Sequence, residues 1–246
     1  MKSVTIKLVL LSTLFLKGTL VSASVVFPGY IDDFENGTTN SWVMGPKANS
    51  DLAPKNLANE DESNRFLKVN SFGEGSNGRD AGSRMVFYNE NQWTGDFSQI
   101  GSISLNVKAE STTEEYLYMR LAIYDTAATG VYSRYVSTQH QPLKADGAWH
   151  LINLSLAAED LTRFRGEESA EEVLRNVSHL RILSSKDNIS GWGVDKISAT
   201  LSIDNITAMP TISQNQVITT VPLHASFWFM LSALMGILKI SIKVKD

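Results

Sequence analysis

The chain of 246 residues contains no cysteine, only 6 prolines and only 4 histidines. Without cysteine there is no disulfide staple, no thiolate nucleophile and no thiolate metal ligand, so stability has to come from a packed core, helped at most by a hard metal ion. Basic charge is scarce as well. Setting aside Lys2, Lys7 and Lys17 at the front and Lys239, Lys243, Lys245 and Asp246 at the back leaves 16 basic and 25 acidic residues, a net charge of −9. An acidic body argues against nucleic acid as a partner, because phosphate binding needs a basic footprint. Motifs of catalysis are missing too. No serine stands in a Gly-x-Ser-x-Gly elbow, and the loop Gly73-Glu74-Gly75-Ser76-Asn77-Gly78 is followed by neither a lysine nor a helical pattern that would make it a phosphate cradle. Of the histidines, His140 and His179 are placed for chemistry, yet no recognisable motif surrounds either, and no carboxylate pair can be singled out for glycoside hydrolysis. The expectation is a protein that is not an enzyme.

Long apolar runs occur only at the two ends. Lys2 and Lys7 precede Leu8-Val9-Leu10-Leu11-Ser12-Thr13-Leu14-Phe15-Leu16, and the small residues Val21-Ser22-Ala23 follow, which is the pattern of a secretory signal peptide over 1–23. At the other end, the 20 residues from Leu223 to Ile242 carry Lys239 as their only formal charge. At about 1.5 Å per residue that length reaches across a hydrocarbon core, and the lysines after it favour a cytoplasmic C-terminus. Within this tail Val221-Pro222-Leu223-His224-Ala225, Trp228, Ser232-Ala233-Leu234 and Gly236 resemble the PEP-CTERM sorting signal in its Val-Pro-Leu-Pro-Ala variant, with His224 where the variant has its second proline. The resemblance covers 221–246. It implies export, recognition at Val221, Pro222 and Leu223 by an exosortase-type processing enzyme, at least transient anchoring in the inner membrane, and a final place at the cell surface or in the extracellular matrix.

Between the ends lies one domain, 24–210, joined to the tail by a polar linker, 211–220. Its clearest element is Glu115–Asp125. Leu117, Met119, Leu121 and Ile123 alternate with Tyr116, Tyr118, Arg120 and Tyr124, so a two-residue period sorts aliphatic side chains onto one face and rings with a guanidinium onto the other. Further strands are expected at 30–35, before a turn at Asn36-Gly37, and at 65–71, 83–88, 103–108, 131–137, 149–154, 179–183 and 199–206, with a loop over 49–64. One short helix opens at Ser169-Ala170-Glu171-Glu172 with a capping box. About nine short strands with one helix predict an all-β jelly-roll sandwich.

The domain resembles the galactose-binding-like jelly rolls used as carbohydrate-binding modules. The residues that carry the resemblance are Asp33-Phe34-Glu35 with Trp42, Phe66-Leu67-Lys68-Val69, Trp149-His150 and Ile203-Asp204-Asn205-Ile206. It implies a structural calcium ion where first and last strands meet, with Glu35 and Asp204 as ligands and Asp33 as a helper. The residues themselves suggest a second constellation. If Leu180 and Ile182 face the core, His179, Arg181 and Leu183 face outward beside Tyr118 and Arg120, with Arg84 and Tyr88 on the same side and Trp192 on a rim loop. Arginine forks and aromatic rings suit a groove for an acidic or hydroxyl-rich polysaccharide. The expected function is therefore an exported, surface-displayed or released non-catalytic module that binds or organises extracellular polysaccharide. The alternatives are a structural matrix protein without a specific ligand and a jelly-roll polysaccharide lyase.

Overall fold

A computed structural model describes residues 26–44, 53–73, 82–125, 132–187 and 195–211, all within one compact unit, Met1–Thr211. The expected signal peptide, nearly all of the linker, the sorting motif Val221-Pro222-Leu223 with the membrane segment, and Trp192 lie outside the described residues. Among the described residues no helix is long and apolar enough to cross a membrane.

Two antiparallel sheets stack face to face. The first has six strands: β1 (Ile31–Asp32), β3 (Lys55–Ala58), β4 (Arg65–Phe72), β6 (Ile100–Ser111), β10 (Asp146–Ser155) and β13 (Ser198–Pro210), in the order β10-β6-β13-β4-β3, with β1 added on β13. The second has seven: β2 (Val43–Met44), β5 (Val86–Asn89), β7 (Tyr116–Asp125), β8 (Arg134–Ser137), β9 (Gln141–Lys144), β11 (Leu161–Arg165) and β12 (Val177–Ser184), in the order β11-β8-β7-β12-β5-β2, with β9 added on β7. Neighbouring strands are mostly non-consecutive in sequence, because the chain crosses repeatedly between the sheets. This is the all-β jelly-roll sandwich that the alternation predicts.

The period-two pattern explains why the sheets stack. Leu117, Met119, Leu121 and Ile123 of β7 and Leu180 and Ile182 of β12 are fully buried against Ile103, Leu105 and Val107 of β6, Leu67 and Val69 of β4 and Leu201 and Ile203 of β13 within one core. Each such side chain contributes about 1.5–3 kcal/mol by leaving water. The helix α1 (Ala170–Leu174) has the expected capping box: Ser169 Oγ accepts from the Glu172 amide, and Glu172 accepts from the Ser169 amide.

Two features depart from the sequence reading. Thirteen strands are described where about nine were expected, because β2, β3, β9 and β11 are two to five residues long and too short to show alternation. In particular, β3 lies inside the segment 49–64 read as a loop, and β9 holds Pro142, which is tolerated because β9 hydrogen-bonds to β7 on one side only. The other departure is a buried charge. Asp32 on β1 is 2% exposed, and its Oδ2 accepts from the indole N–H of both Trp42 (2.8 Å) and Trp93 (2.7 Å) while Oδ1 accepts from Asn40 (3.1 Å). Burial pushes its carboxyl above the usual range against the pull of these three bonds. It fastens the first strand to two core tryptophans.

Candidate ligand-binding face

The outer face of the seven-stranded sheet is where the predicted side chains converge. Register sets Arg181 of β12 opposite Tyr88 of β5 and Ala122 of β7, and sets Tyr124 of β7 opposite His179 of β12 and Arg134 of β8. Residues opposite one another share a face, so rings and guanidinium groups interleave across four strands. The Arg181 guanidinium carbon lies 5.1 Å from the Tyr88 ring centre and 4.4 Å from that of Tyr124. On the other side of Tyr124, the Arg134 guanidinium carbon lies 4.8 Å from the same ring, 5.7 Å from Tyr132 and 5.9 Å from Phe164. The result is a ladder, Tyr88–Arg181–Tyr124–Arg134–Tyr132, on a floor of buried Val86, Ala122, Val136 and Leu183. Its inner rungs are hidden, with Arg181 5% and Tyr124 2% exposed, whereas Tyr132 is 43% exposed and Tyr88 and Arg134 are half-buried.

Electrostatics follow from that burial. The Arg181 guanidinium is pushed below its ordinary value, first by loss of water and then, among smaller influences, by repulsion from Arg134. Tyr124 is pushed up by burial. His179 packs near Tyr88 and Tyr124, and its Nε2 lies 2.8 Å from Glu90 Oε2. Burial lowers its pKa, Arg181 and Arg134 lower it further, and Glu90 opposes them without prevailing.

Arg120 does something else. It is 3% exposed, and its five N–H donors are all engaged: Nε on the Ser185 carbonyl (2.8 Å), Nη1 on those of Ser137 (2.6 Å) and Thr138 (3.0 Å), and Nη2 on the Lys186 carbonyl (2.8 Å) and His140 Nδ1 (3.3 Å). No donor remains for a sugar, so its expected role as a ligand contact is corrected. Arg120 is a clamp that ties the β8–β9 turn to the segment after β12. Beside it Tyr118 is half-buried, edge-on to His140 at 4.7 Å, with the Lys186 ammonium 5.9 Å from its ring centre. Arg84 is half-buried just ahead of β5.

The residues expected to hold calcium gather at the junction of β1 and β13 with the ends of β3 and β4. Asp204 is buried and accepts from the Asn64 side chain (3.2 Å) and the Asn205 amide (2.7 Å), Glu35 accepts from the Arg65 amide (2.8 Å), and Asp33 accepts from the Glu35 amide (3.2 Å). Burial raises the Asp204 carboxyl, and the charges of Glu35 and Asp33 raise it further. An all-oxygen set of repelling carboxylates suits a hard cation. Among the described residues, however, no three histidine, cysteine or acidic side chains converge closely enough to hold an ion by themselves, so coordination at Glu35 and Asp204 would need backbone carbonyls as well. Just past Asp204 the β13–β6 register shifts, and Asn205 takes a φ of +51°, a left-handed value asparagine tolerates.

Arg134, Tyr132, Phe164 and Glu90 are members of the face that the sequence reading does not assign. Tyr132 and Arg134 are two apart on one strand, and that spacing was the available signal.

No protein-family model matches the chain, and no curated protein matches it. Among solved structures it is similar to the carbohydrate-binding module CtCBM11, with 15% identity, 76% of this chain and 98% of that chain covered, and a TM-score of 0.50. It is also similar to CBM28, described as a non-crystalline cellulose specific carbohydrate-binding module (12% identity, 76% and 96% covered, TM-score 0.47). A third is the CBM22-1 xylan-binding domain from Paenibacillus barcinonensis Xyn10C (13% identity, 76% and 100% covered, TM-score 0.42). At these identities the likeness to CtCBM11 speaks for the fold, a jelly-roll sandwich of the kind that carbohydrate-binding modules use.

Proposed function

We propose that this protein is a non-catalytic polysaccharide-binding module whose ligand lies on the outer face of the seven-stranded sheet. The observation that carries the reading is the ladder from Tyr88 through Arg181, Tyr124 and Arg134 to Tyr132. Exposed rings offer apolar faces for pyranose stacking, and guanidinium edges supply donors in a fixed plane for hydroxyl or carboxylate oxygens. The interleaving holds each group in one orientation before a ligand arrives, which lowers the entropic cost of binding. The jelly-roll fold shared with CtCBM11 supports the reading at the level of architecture. Tyr118 and Lys186 extend the face at one end, and Trp192 and Arg84 are proposed as rim contacts. Arg120 positions the rim without touching the sugar.

Export and surface placement are part of the proposal and are supported by the sequence: the basic start with its apolar run, and the tail with Val221-Pro222-Leu223, which an exosortase-type enzyme would recognise at the membrane. A structural matrix protein is the second reading. It is favoured by the apolar patch on the opposite sheet, where Trp149 is 44% and Leu151 66% exposed.

The test is affinity electrophoresis of the purified protein through gels containing neutral or acidic polysaccharides, alongside Tyr132→Ala and Tyr88→Ala. Retardation that either substitution weakens supports the reading. Free migration through every polymer would remove it in favour of the structural one.

A further inference from the structure

A sheet ends in strands whose outer N–H and C=O groups have no partner, and such edges are commonly blunted by shortness, charge or proline. Most edges among the described residues are blunted in these ways. β1 and β2 are two residues long, β3 carries exposed Lys55 just after Pro54, and β11 carries exposed Arg163 and Arg165. β9, which runs on into β10, holds Pro142. The exception is β10, which is ten residues long, ends the six-stranded sheet, and has no lysine, arginine, aspartate or glutamate from Ala148 to Ser155. Its free backbone groups follow from register. Leu156 donates its amide to the Gly101 carbonyl (2.9 Å), and these two stand opposite one another in the register that pairs Ser155 with Ser102. In an antiparallel ladder the bonded positions recur at every second residue. Leu154, Ile152 and His150 therefore turn their main-chain groups to β6, whereas those of Trp149, Leu151 and Asn153 point away from the sheet. The side chains of the same three residues are exposed, and Leu151 is more exposed than any other large apolar side chain among the described residues.

We propose that β10 is an assembly edge, on which two copies of this chain pair their β10 strands antiparallel about a two-fold axis through Leu151. In that register Leu151 faces its own counterpart, and Trp149 faces Asn153 of the partner subunit on both sides of the axis. All three outward residues then stand in bonded pairs, each pair exchanging two main-chain hydrogen bonds. No outward position is left over. A second copy fits because the edge is complementary to itself: an uncharged strand meets an uncharged strand, so two acidic domains approach where neither presents a repelling side chain. Apolar packing adds to the main-chain bonds. Trp149, edge-on to Phe66 at 5.7 Å, and Leu151 lose their contact with water against the same residues of the copy. The two six-stranded sheets become one, while the ladder on each seven-stranded sheet stays open. The pair is then bivalent for whatever the ladders bind, although the pairing itself depends on the backbone of β10 and not on a ligand.

The experiment is sedimentation velocity of the purified protein over a range of concentrations, together with mild oxidation of single-cysteine variants. Expected is a monomer–dimer equilibrium that Leu151→Lys weakens about tenfold or more, by losing apolar contact and setting two ammonium groups against each other on the axis. Leu57→Lys, the same change at an exposed position on the opposite edge of the same sheet, is expected to leave the equilibrium intact. Because the chain has no cysteine, Leu151→Cys introduces its only thiol. Bonded antiparallel pairs lie about 5.5 Å apart at Cα, within disulfide reach, so Leu151→Cys is expected to form a covalent dimer. Asn153→Cys, equally outward, is expected not to, because its counterpart lies four residues, or about 14 Å, along the partner strand. A protein that stays monomeric at every concentration overturns the inference. So does a dimer that Leu151→Lys leaves intact or that Leu57→Lys weakens equally, since the contact then lies elsewhere. Equal cross-linking at positions 151 and 153 would mean collision in place of a two-fold register, and the assembly edge would be given up. Each of these failures leaves the polysaccharide-binding reading standing.

Discussion

Arg120 and Arg181 sit on adjacent strands of one sheet face, almost equally hidden at 3% and 5% exposure, and yet the protein treats them in opposite ways. Arg120 is enclosed by four backbone carbonyls and a histidine, so each of its donors has an acceptor. Arg181 has the rings of Tyr88 and Tyr124 beside it, their centres 5.1 and 4.4 Å from its guanidinium carbon, and both stabilise its charge. Burial therefore does not separate a structural arginine from a binding one. What marks Arg120 is its cage of backbone carbonyls, and what marks Arg181 is its place beside two rings. If this distinction is right, truncating the two side chains produces opposite pairs of phenotypes.

The largest effect is expected at Arg120. Arg120→Ala strips the carbonyls of Ser137, Thr138, Ser185 and Lys186 of their partner in a buried place, and stability should fall by about 3 to 5 kcal/mol in urea unfolding. Below the melting transition, binding to the preferred glycan should weaken only modestly, since no ladder group is lost. A large affinity loss with unchanged stability would reverse the assignment. Arg181→Met should give the mirror result. The methionine keeps apolar contact with both rings, so the cost is that of two cation–π contacts, about 1 to 2 kcal/mol, while glycan affinity is lost. Equal destabilisation by the two substitutions would show that the arginines are both structural.

The contrast also marks how far the amino-acid sequence could be read. The strands at 115–125 and 177–184 are legible because a two-residue period is a local property, and Leu117, Met119, Leu121, Ile123, Leu180 and Ile182 all lie in the core. The same local pattern places Arg120 and Arg181 on one face, but it says nothing about what stands over them. The Arg120 clamp depends on carbonyls 17 and 65 residues away, brought together only when the ends of β8 and β12 flank β7. Asp32 is illegible for a related reason. It is one of two adjacent aspartates, and only the fold reveals that it, not Asp33, turns inward to indoles 10 and 61 residues distant. The alternation over 131–137 puts Tyr132 and Arg134 on one side of a strand, but nothing local says that this side joins the face of Arg181, which depends on β7 lying between β8 and β12.

A second like-charge cluster extends the comparison to the opposite sheet. Glu35, Asp33 and Asp204 repel one another as Arg134 and Arg181 do, and there the counter-ion would be calcium. Ten-fold excess of the ion over its dissociation constant would stabilise the fold by about 1.4 kcal/mol, a rise of roughly 3 to 6 °C in melting temperature for a domain of this size. Asp204→Asn should abolish the calcium response. A melting temperature indifferent to both EDTA and added calcium would leave the carboxylates as a purely hydrogen-bonded junction.

The smallest effect tests the arginine ladder through its neighbour. His179 faces Glu90, Tyr88, Tyr124, Arg181 and Arg134, and its pKa is lowered, chiefly by burial. In the folded protein the ring therefore resists protonation while the unfolded chain accepts a proton near pH 6.5. Because the unfolded state then binds more protons, the contribution of His179 to stability is present above that value and is lost as pH falls through the folded-state pKa. Removing one positive neighbour should relieve part of the shift. In Arg181→Met the His179 pKa, followed by NMR of the ring protons, should move upward, and the loss of stability between pH 7 and 5 should become shallower. In Arg120→Ala, where Arg120 is not among the charges bearing on His179, the pKa should stay where it is. An equal shift in both variants would mean that the two ends of the face are electrostatically one region, and the division between clamp and ladder would have to be abandoned.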